Sequence, residues 1–187
     1  MAPSTSRGTK RRVALDGRLI LRFFGSVARY PWIAARLAAL YAAQGGWMRR
    51  KPRRDGRAGP IRQLSLRLTD LCNLRCPTCG QWGEHGYLHG QRKRDLKSRE
   101  VPVSDHVAML DDLRSHGHRP LVYLWGGEPM LYPGAMDLVE AAVARHLPAA
   151  IATNGTGVAA AADRMVRAPL FLLQISLDGP TRNLQNR

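Results

Sequence analysis

Three cysteines, Cys72, Cys76 and Cys79, fall within eight residues of a 187-residue chain that has no others. Crowded thiols with no partner elsewhere cannot form a disulfide framework; they suit a metal, and metal thiolates suit a reducing cytoplasm. The C-x3-C-x2-C run Cys72-Asn73-Leu74-Arg75-Cys76-Pro77-Thr78-Cys79 lets one loop wrap a metal centre. Three thiolates can hold three irons of a [4Fe–4S] cube, as cysteines do in ferredoxins. With no fourth cysteine, one iron would stay open to a small molecule, and an open position marks a working metal site rather than a structural one. The competing reading is a zinc site of three Cys and one His, using His85 or His89.

Three further segments bear on that choice, each where a strand should end: Gly126-Gly127-Glu128-Pro129, Thr153-Asn154-Gly155-Thr156 and Ser176-Leu177-Asp178-Gly179-Pro180. In parallel α/β folds ligand sites gather at the carboxyl ends of strands. Four successive strands thus deliver polar or ligating groups to one rim. The carboxylates Glu128 and Asp178 can bind an ammonium or a ribose hydroxyl. Each dipeptide alone (GG, NG, DG) is an ordinary turn signal; four in register with strand ends are not explained as turns.

The elements that must position these residues follow from the pattern after residue 60. Ile61 to Leu68 alternates apolar and polar, as a strand does. Ser104 is expected to cap a helix running to Gly117, with Val107, Leu110 and Leu113 inward. Leu121 to Leu124 reads as a short buried strand. Pro133 and Gly134 open a helix with Met136, Val139 and Val143 on one face. Ala149 to Ala152 reads as a strand and Val158 to Arg167 as a helix. Leu170 to Leu177 is an almost continuous apolar run, as in a buried parallel strand. The order βαβαβαβ predicts a parallel sheet with crossover helices. Gly80 to Val103 is a long connection carrying Trp82, Glu84, His85, Tyr87, His89 and the basic run Arg92-Lys93-Arg94; it suits a lid over the site or a solvated insertion. Asp70 reads as a turn-shaping residue, and His106, His116, His118 and His146 as surface residues. No catalytic acid or base is assigned.

The chain carries 29 Lys+Arg against 14 Asp+Glu, and 44% of its residues are hydrophobic, which excludes a wholly disordered protein. Residues 1–60 hold a net charge of +12 and residues 61–187 only +3. The basic character therefore belongs to an N-terminal extension, residues 1–60, ahead of a core of residues 61–187. Within the extension, residues 15–43 interleave apolar residues with Arg18, Arg22, Arg29 and Arg36. Those arginines break every window long enough for a membrane-spanning helix. The amphipathic stretch suits either a helix docked on protein or peripheral contact with an anionic membrane. Residues 49–59 read as a basic linker, placing the domain boundary near Pro60.

Taken in order, CNLRCPTC, GGEP, TNG and SLDGP resemble the radical SAM superfamily over roughly Gln63 to Pro180. SLDGP is most similar to the branch of peptide-modifying and sulfatase-maturing enzymes. The resemblance implies a partial (β/α) barrel around a [4Fe–4S] cluster, here an incomplete barrel of about four βα units with a partly helical basic extension. It implies Cys72, Cys76 and Cys79 as cluster ligands, with S-adenosylmethionine chelating the open iron. Gly126, Gly127 and Glu128 would hold the methionyl amino group. Ser176 and Asp178 would approach the ribose or the methionyl carboxylate, and Asn154 would line the cofactor. One electron from the cluster, supplied by a donor such as a flavodoxin or ferredoxin, would cleave the sulfonium and give a 5′-deoxyadenosyl radical that abstracts hydrogen from substrate. A peptide or protein side chain is the substrate expected, with a small molecule second.

The sequence departs from the family in two places. Thr78 stands where an aromatic residue usually precedes the third cysteine, and the family's fifth and sixth strands do not follow the fourth, so the chain reads as the N-terminal part of such an enzyme. The alternative from another class is a non-enzymatic zinc-binding basic adaptor on nucleic acid. It lacks interleaved base-stacking aromatics and leaves GGEP and SLDGP unexplained, so nucleic acid is not expected as a partner.

Overall fold

A computed structural model of the chain describes residues 61–179, together with Ala35 and Ala38, which are helical and exposed. The expectations for the basic extension, residues 15–43, the linker, the Pro60 boundary and Pro180 lie outside the described residues. The chain divides into two compact units, Met1–Gly45 and Gly46–Arg187, and everything below concerns the second. Among the described residues no helix is long and apolar enough to cross a membrane.

Four parallel strands in the order β1-β2-β3-β4 form the sheet: β1 Gln63–Thr69, β2 Leu121–Gly126, β3 Ala149–Thr153 and β4 Leu172–Ile175. A short helix α1 (Lys93–Lys97) and a longer α2 (Val103–Ser115) join β1 to β2, α3 (Ala135–Ala144) joins β2 to β3, and α4 (Val158–Arg167) joins β3 to β4. Alternation along the strands decides the layers. Leu66, Leu68, Val122, Leu124, Ala149 and Ile151 turn to the helices and pack with Leu110, Leu138, Val139, Ala142, Ala161 and Met165 in one core. Ser65, Arg67, Tyr123, Trp125, Ala150, Ala152, Leu172 and Gln174 occupy the intervening positions and form the opposite face. The expected βαβαβαβ order is thus the observed one.

The details differ where local context overrides pattern. The helix expected to be capped by Ser104 instead starts at Val103, with Pro102 as its extended N-cap and no side-chain cap; Pro supplies the fixed φ that leads into a helix. The last strand is four residues rather than eight, and Leu172 and Ile175 are exposed, because among the described residues β4 pairs only with β3. The long connection is not featureless. It contains α1 and its own small core of Trp82, Leu88 and Leu96, while Arg92, Lys93 and Arg94 are exposed.

His106 corrects a further expectation. His116 and His146 are exposed as read, but His106 is buried on the inner side of α2, edge-on to Tyr132 at 6.3 Å between ring centroids. Among the described residues neither of its ring nitrogens has a partner, and burial pushes its pKa below the ordinary histidine value. The folded state therefore takes up the proton only at lower pH than the unfolded chain does. Stability is fully present above the ordinary value of about 6.5 and declines as pH falls below it. His106→Leu should flatten that acid slope in thermal melts between pH 7.5 and 5. It should also stabilise the protein by about 1 kcal/mol at neutral pH by removing a buried unpaired donor. An unchanged slope would place the titration elsewhere.

Candidate metal and cofactor site

The cysteine loop leaves the carboxyl end of β1 and is wound around its own backbone. Cys79 N–H donates to the Cys76 carbonyl at 3.0 Å and Gly83 N–H to the Cys79 carbonyl at 2.8 Å. All three thiols are free and half-buried. Two of the sulfurs already accept backbone hydrogen bonds: Leu74 N–H to Cys72 Sγ and Trp82 N–H to Cys79 Sγ, both at 3.4 Å. Burial pushes the Cys76 thiol up, and the Asp178 carboxylate and the Cys72 and Cys79 thiols add to it. The three thiols and Asp178 therefore form one electrostatic neighbourhood. A cationic centre there reverses the effect, because a coordinating thiol is deprotonated outright.

Trp82, whose role the sequence did not disclose, anchors the loop. It is buried against Leu71, Cys72 and Cys79, its indole N–H donates to the Asp70 carbonyl at 2.7 Å, and the Arg75 guanidinium lies 3.9 Å over its ring. Asp70 itself pairs with Arg67. One aromatic side chain thus ties the end of β1, the first and third cysteines and a cationic residue into one unit. The spacing of Trp82 three residues past Cys79 was the only trace of this in the sequence.

The Gly126-Gly127-Glu128 segment lies directly against that loop. Gly127 N–H donates to the Thr69 carbonyl and Glu128 N–H to the Leu71 carbonyl, both at 2.8 Å. A Cβ on Gly126 would run into the Thr69 carbonyl oxygen and one on Gly127 into the Leu71 carbonyl oxygen. The two glycines are therefore required for close approach between the end of β2 and the start of the cysteine loop.

Glu128 is 1% exposed, and its carboxylate is already in use. Oε1 accepts from Thr153 Oγ1 at 2.7 Å and Met130 N–H at 3.0 Å; Oε2 accepts from Asn154 N–H at 2.8 Å. It clamps the end of β2 to the end of β3, a role that sequence reasoning missed. Capacity remains: each carboxylate oxygen accepts about two bonds, and Oε2 takes one among the described residues.

Asn154 is likewise engaged. It donates to Asn73 Oδ1 at 2.8 Å, while Asn73 donates to Thr156 Oγ1 at 2.9 Å and that hydroxyl donates to Asn154 Oδ1 at 2.7 Å. This ring of three side chains fastens the cysteine loop, through Asn73, to the turn after β3. Ser176 is exposed and extends the ladder with its N–H to the Thr153 carbonyl at 2.9 Å. Asp178 is exposed beside Cys76. The residues singled out in the sequence therefore meet at one rim, although Glu128 and Asn154 meet each other and the loop before any ligand.

This donor set fits an iron–sulfur cube. The N–H···S bonds and the polar frame are the surroundings that tune such clusters. Among the described residues no three His, Cys, Asp or Glu side chains form a tight group for a single metal ion. A cube spreads its ligands over separate irons and needs no such triad, whereas one zinc ion draws its sulfurs to about 2.3 Å from itself. His85 and His89 are exposed, and His89 Nδ1 lies 3.1 Å from the Gly83 carbonyl rather than with the cysteines. The zinc adaptor finds no support in this arrangement.

Comparison with known proteins agrees. The family model described as the Radical SAM superfamily matches residues 66–187. A GTP 3',8-cyclase of Streptomyces coelicolor is 35% identical over 119 residues, covering 62% of this chain and 32% of that protein. The mycofactocin maturase MftC of Mycobacterium tuberculosis is 31% identical over 127 residues, covering 66% and 29%. The PqqA peptide cyclase of Ruegeria pomeroyi is 33% identical over 129 residues, covering 68% and 32%. The chain thus spans about a third or less of the length of these curated relatives. In fold it is similar to Streptococcus suis SuiB, solved bound to S-adenosylmethionine, with a TM-score of 0.53 at 20% identity over 67% of this chain and 27% of that one. The family uses a [4Fe–4S] cluster and S-adenosylmethionine. The chain belongs to the radical SAM superfamily.

Proposed function

We propose that the protein is a radical SAM enzyme, or its N-terminal core, that abstracts hydrogen from a peptide or protein side chain. One observation carries the reading: three half-buried thiols, two of them accepting backbone N–H bonds, sit at the carboxyl end of β1 on the rim that also holds Glu128 and Asp178. When bound, the cluster and S-adenosylmethionine would supply one-electron radical chemistry able to take a hydrogen atom from substrate, the cluster being held by Cys72, Cys76 and Cys79.

The chain's own residues bind and orient. Cys72, Cys76 and Cys79 hold the cluster and leave one iron open. The Gly126–Glu128 segment receives the methionyl amino group, which only donates, through its carbonyls and the spare capacity of Glu128; the N–H groups of Gly127 and Glu128 are spent on the cysteine loop. Asp178 and Ser176 face the ribose or the methionyl carboxylate, and Asn154 lines the cofactor while holding Asn73. Trp82 and its small core keep water from the inner side of the loop.

The peptide reading draws on the PqqA peptide cyclase relative and on SLDGP. A nucleotide substrate is the second reading, favoured by the GTP 3',8-cyclase relative. Residues 61–187 form the radical SAM core behind a basic extension of residues 1–60, whose stretch 15–43 is the candidate for peripheral membrane contact. The free thiols suit the cytoplasm and a one-electron donor such as a flavodoxin or ferredoxin.

Anaerobically purified protein should be brown and contain iron. With dithionite and S-adenosylmethionine it should yield 5′-deoxyadenosine and methionine. A colourless protein containing zinc, with no 5′-deoxyadenosine, would overturn the assignment.

A further inference from the structure

The sheet face opposite the helices has a feature that the cluster site does not explain. Arg67 on β1 and Trp125 on β2 are register partners, and the Arg67 guanidinium carbon lies 5.6 Å from the centre of the Trp125 ring. Arg67 Nε and Trp125 Nε1 are both buried, and neither finds a hydrogen-bond acceptor among the described residues. Buried donors without acceptors are rare in folded proteins, and two on one face call for a common cause.

The rest of the guanidinium is held. Its Nη2 pairs with Asp70 and donates to Gln81 Oε1 at 3.2 Å, and the Tyr87 ring lies 5.5 Å from its carbon. These contacts fix the plane of Arg67 and leave Nε as a buried donor with no acceptor among the described residues. The middle strand contributes only Ala150 and Ala152, while Tyr123 Oη bridges across it to Gln174 Oε1 at 3.1 Å.

We propose that this face is a substrate subsite in which Arg67 Nε–H and Trp125 Nε1–H donate to one carboxylate. A carboxylate is acceptor-only and offers two oxygens, so a single group satisfies both donors. Its bond to a guanidinium is charge-assisted and stronger than a neutral one. The site therefore selects an acidic side chain or a C-terminal carboxylate of a peptide. That source rests on the peptide reading above; the donor pair itself does not.

The test follows the indole N–H resonance of Trp125 in the full chain by nitrogen–proton correlation spectroscopy, assigned by its loss in Trp125→Phe. Three probes are titrated: a blocked alanine tripeptide with a central glutamate, the same peptide with glutamine, and acetate. The glutamate peptide should shift the resonance saturably and bind about tenfold tighter than the glutamine peptide, the size of one charge-assisted bond. Arg67→Lys, in which the indole resonance is still present, should bring that preference to within about twofold. A resonance unmoved by all three probes overturns the subsite and leaves the cluster chemistry untouched. Equal binding of the two peptides overturns it as well. If acetate moves the resonance and neither peptide does, the donor pair stands and the peptide source falls. Failure to load iron would count against the radical SAM reading alone, because the indole signal does not depend on it.

Discussion

Replacing Cys76 by alanine abolishes the iron–sulfur absorption of the reconstituted protein. Cys76 is the middle cysteine of the loop, the proposed ligand set, and the electrostatic neighbour of Cys72, Cys79 and Asp178. Two remaining thiolates cannot hold a cube that already lacks a fourth protein ligand. The protein itself should survive the change. Cys76 lies outside both hydrophobic cores, and a partly exposed side chain away from the core costs about 0.5 kcal/mol or less when truncated. An unchanged melting temperature with lost iron is therefore the expected pair of results. Retained iron in Cys76→Ala would mean that the loop is not the ligand set.

Glu128→Ala produces the largest loss of stability. The substitution strands three donors at once: Met130 N–H, Thr153 Oγ1–H and Asn154 N–H. Each buried donor left unpaired costs about 1–3 kcal/mol, so the total is on the order of 3–9 kcal/mol against a domain stability of roughly 5–15 kcal/mol. Thermal unfolding should fall by roughly 10 °C or more. Glu128→Gln should fall between wild type and alanine, since one amide oxygen can still accept while the NH2 group opposes a donor. A Glu128→Ala protein that melts like the wild type would show that the carboxylate does not hold β2 to β3. Because the clamp and the proposed cofactor contact share one residue, loss of S-adenosylmethionine binding in this variant alone would not identify Glu128 as a ligand.

That double use marks the boundary of what was legible in the sequence. The parallel order of four strands was readable because Leu66, Leu68, Val122, Leu124 and Ile151 fall at strand spacing and helical repeats separate them. The rim was readable because Cys72, Cys76, Cys79, Gly126, Glu128, Asn154 and Asp178 stand where those strands end. The partners of these residues were not. Glu128 reads as a cofactor-facing carboxylate, yet it is buried under donors from three segments that only the fold brings together. Asn154 reads as a cofactor-lining residue, yet it reaches Asn73, 81 positions away. His106 reads as surface because helical patterning counts apolar residues, and a neutral imidazole packs against Tyr132 as an apolar one would. Strand β4 reads as buried because its residues are apolar; its exposure depends on what pairs beyond it, which no property of Leu172 or Ile175 records. Local pattern gives elements and their order. Long-range hydrogen bonds, which set how rigidly the rim is held, leave no local trace.

A cluster held by Cys72, Cys76 and Cys79 would leave one iron open to S-adenosylmethionine. Electron paramagnetic resonance of the anaerobic, dithionite-reduced protein tests it most directly. The reduced cluster signal should change shape and g-values when S-adenosylmethionine is added, and Cys76→Ala should show no cluster signal at all. A reduced spectrum that stays the same at saturating S-adenosylmethionine, from a protein with its iron fully loaded, would contradict the claim.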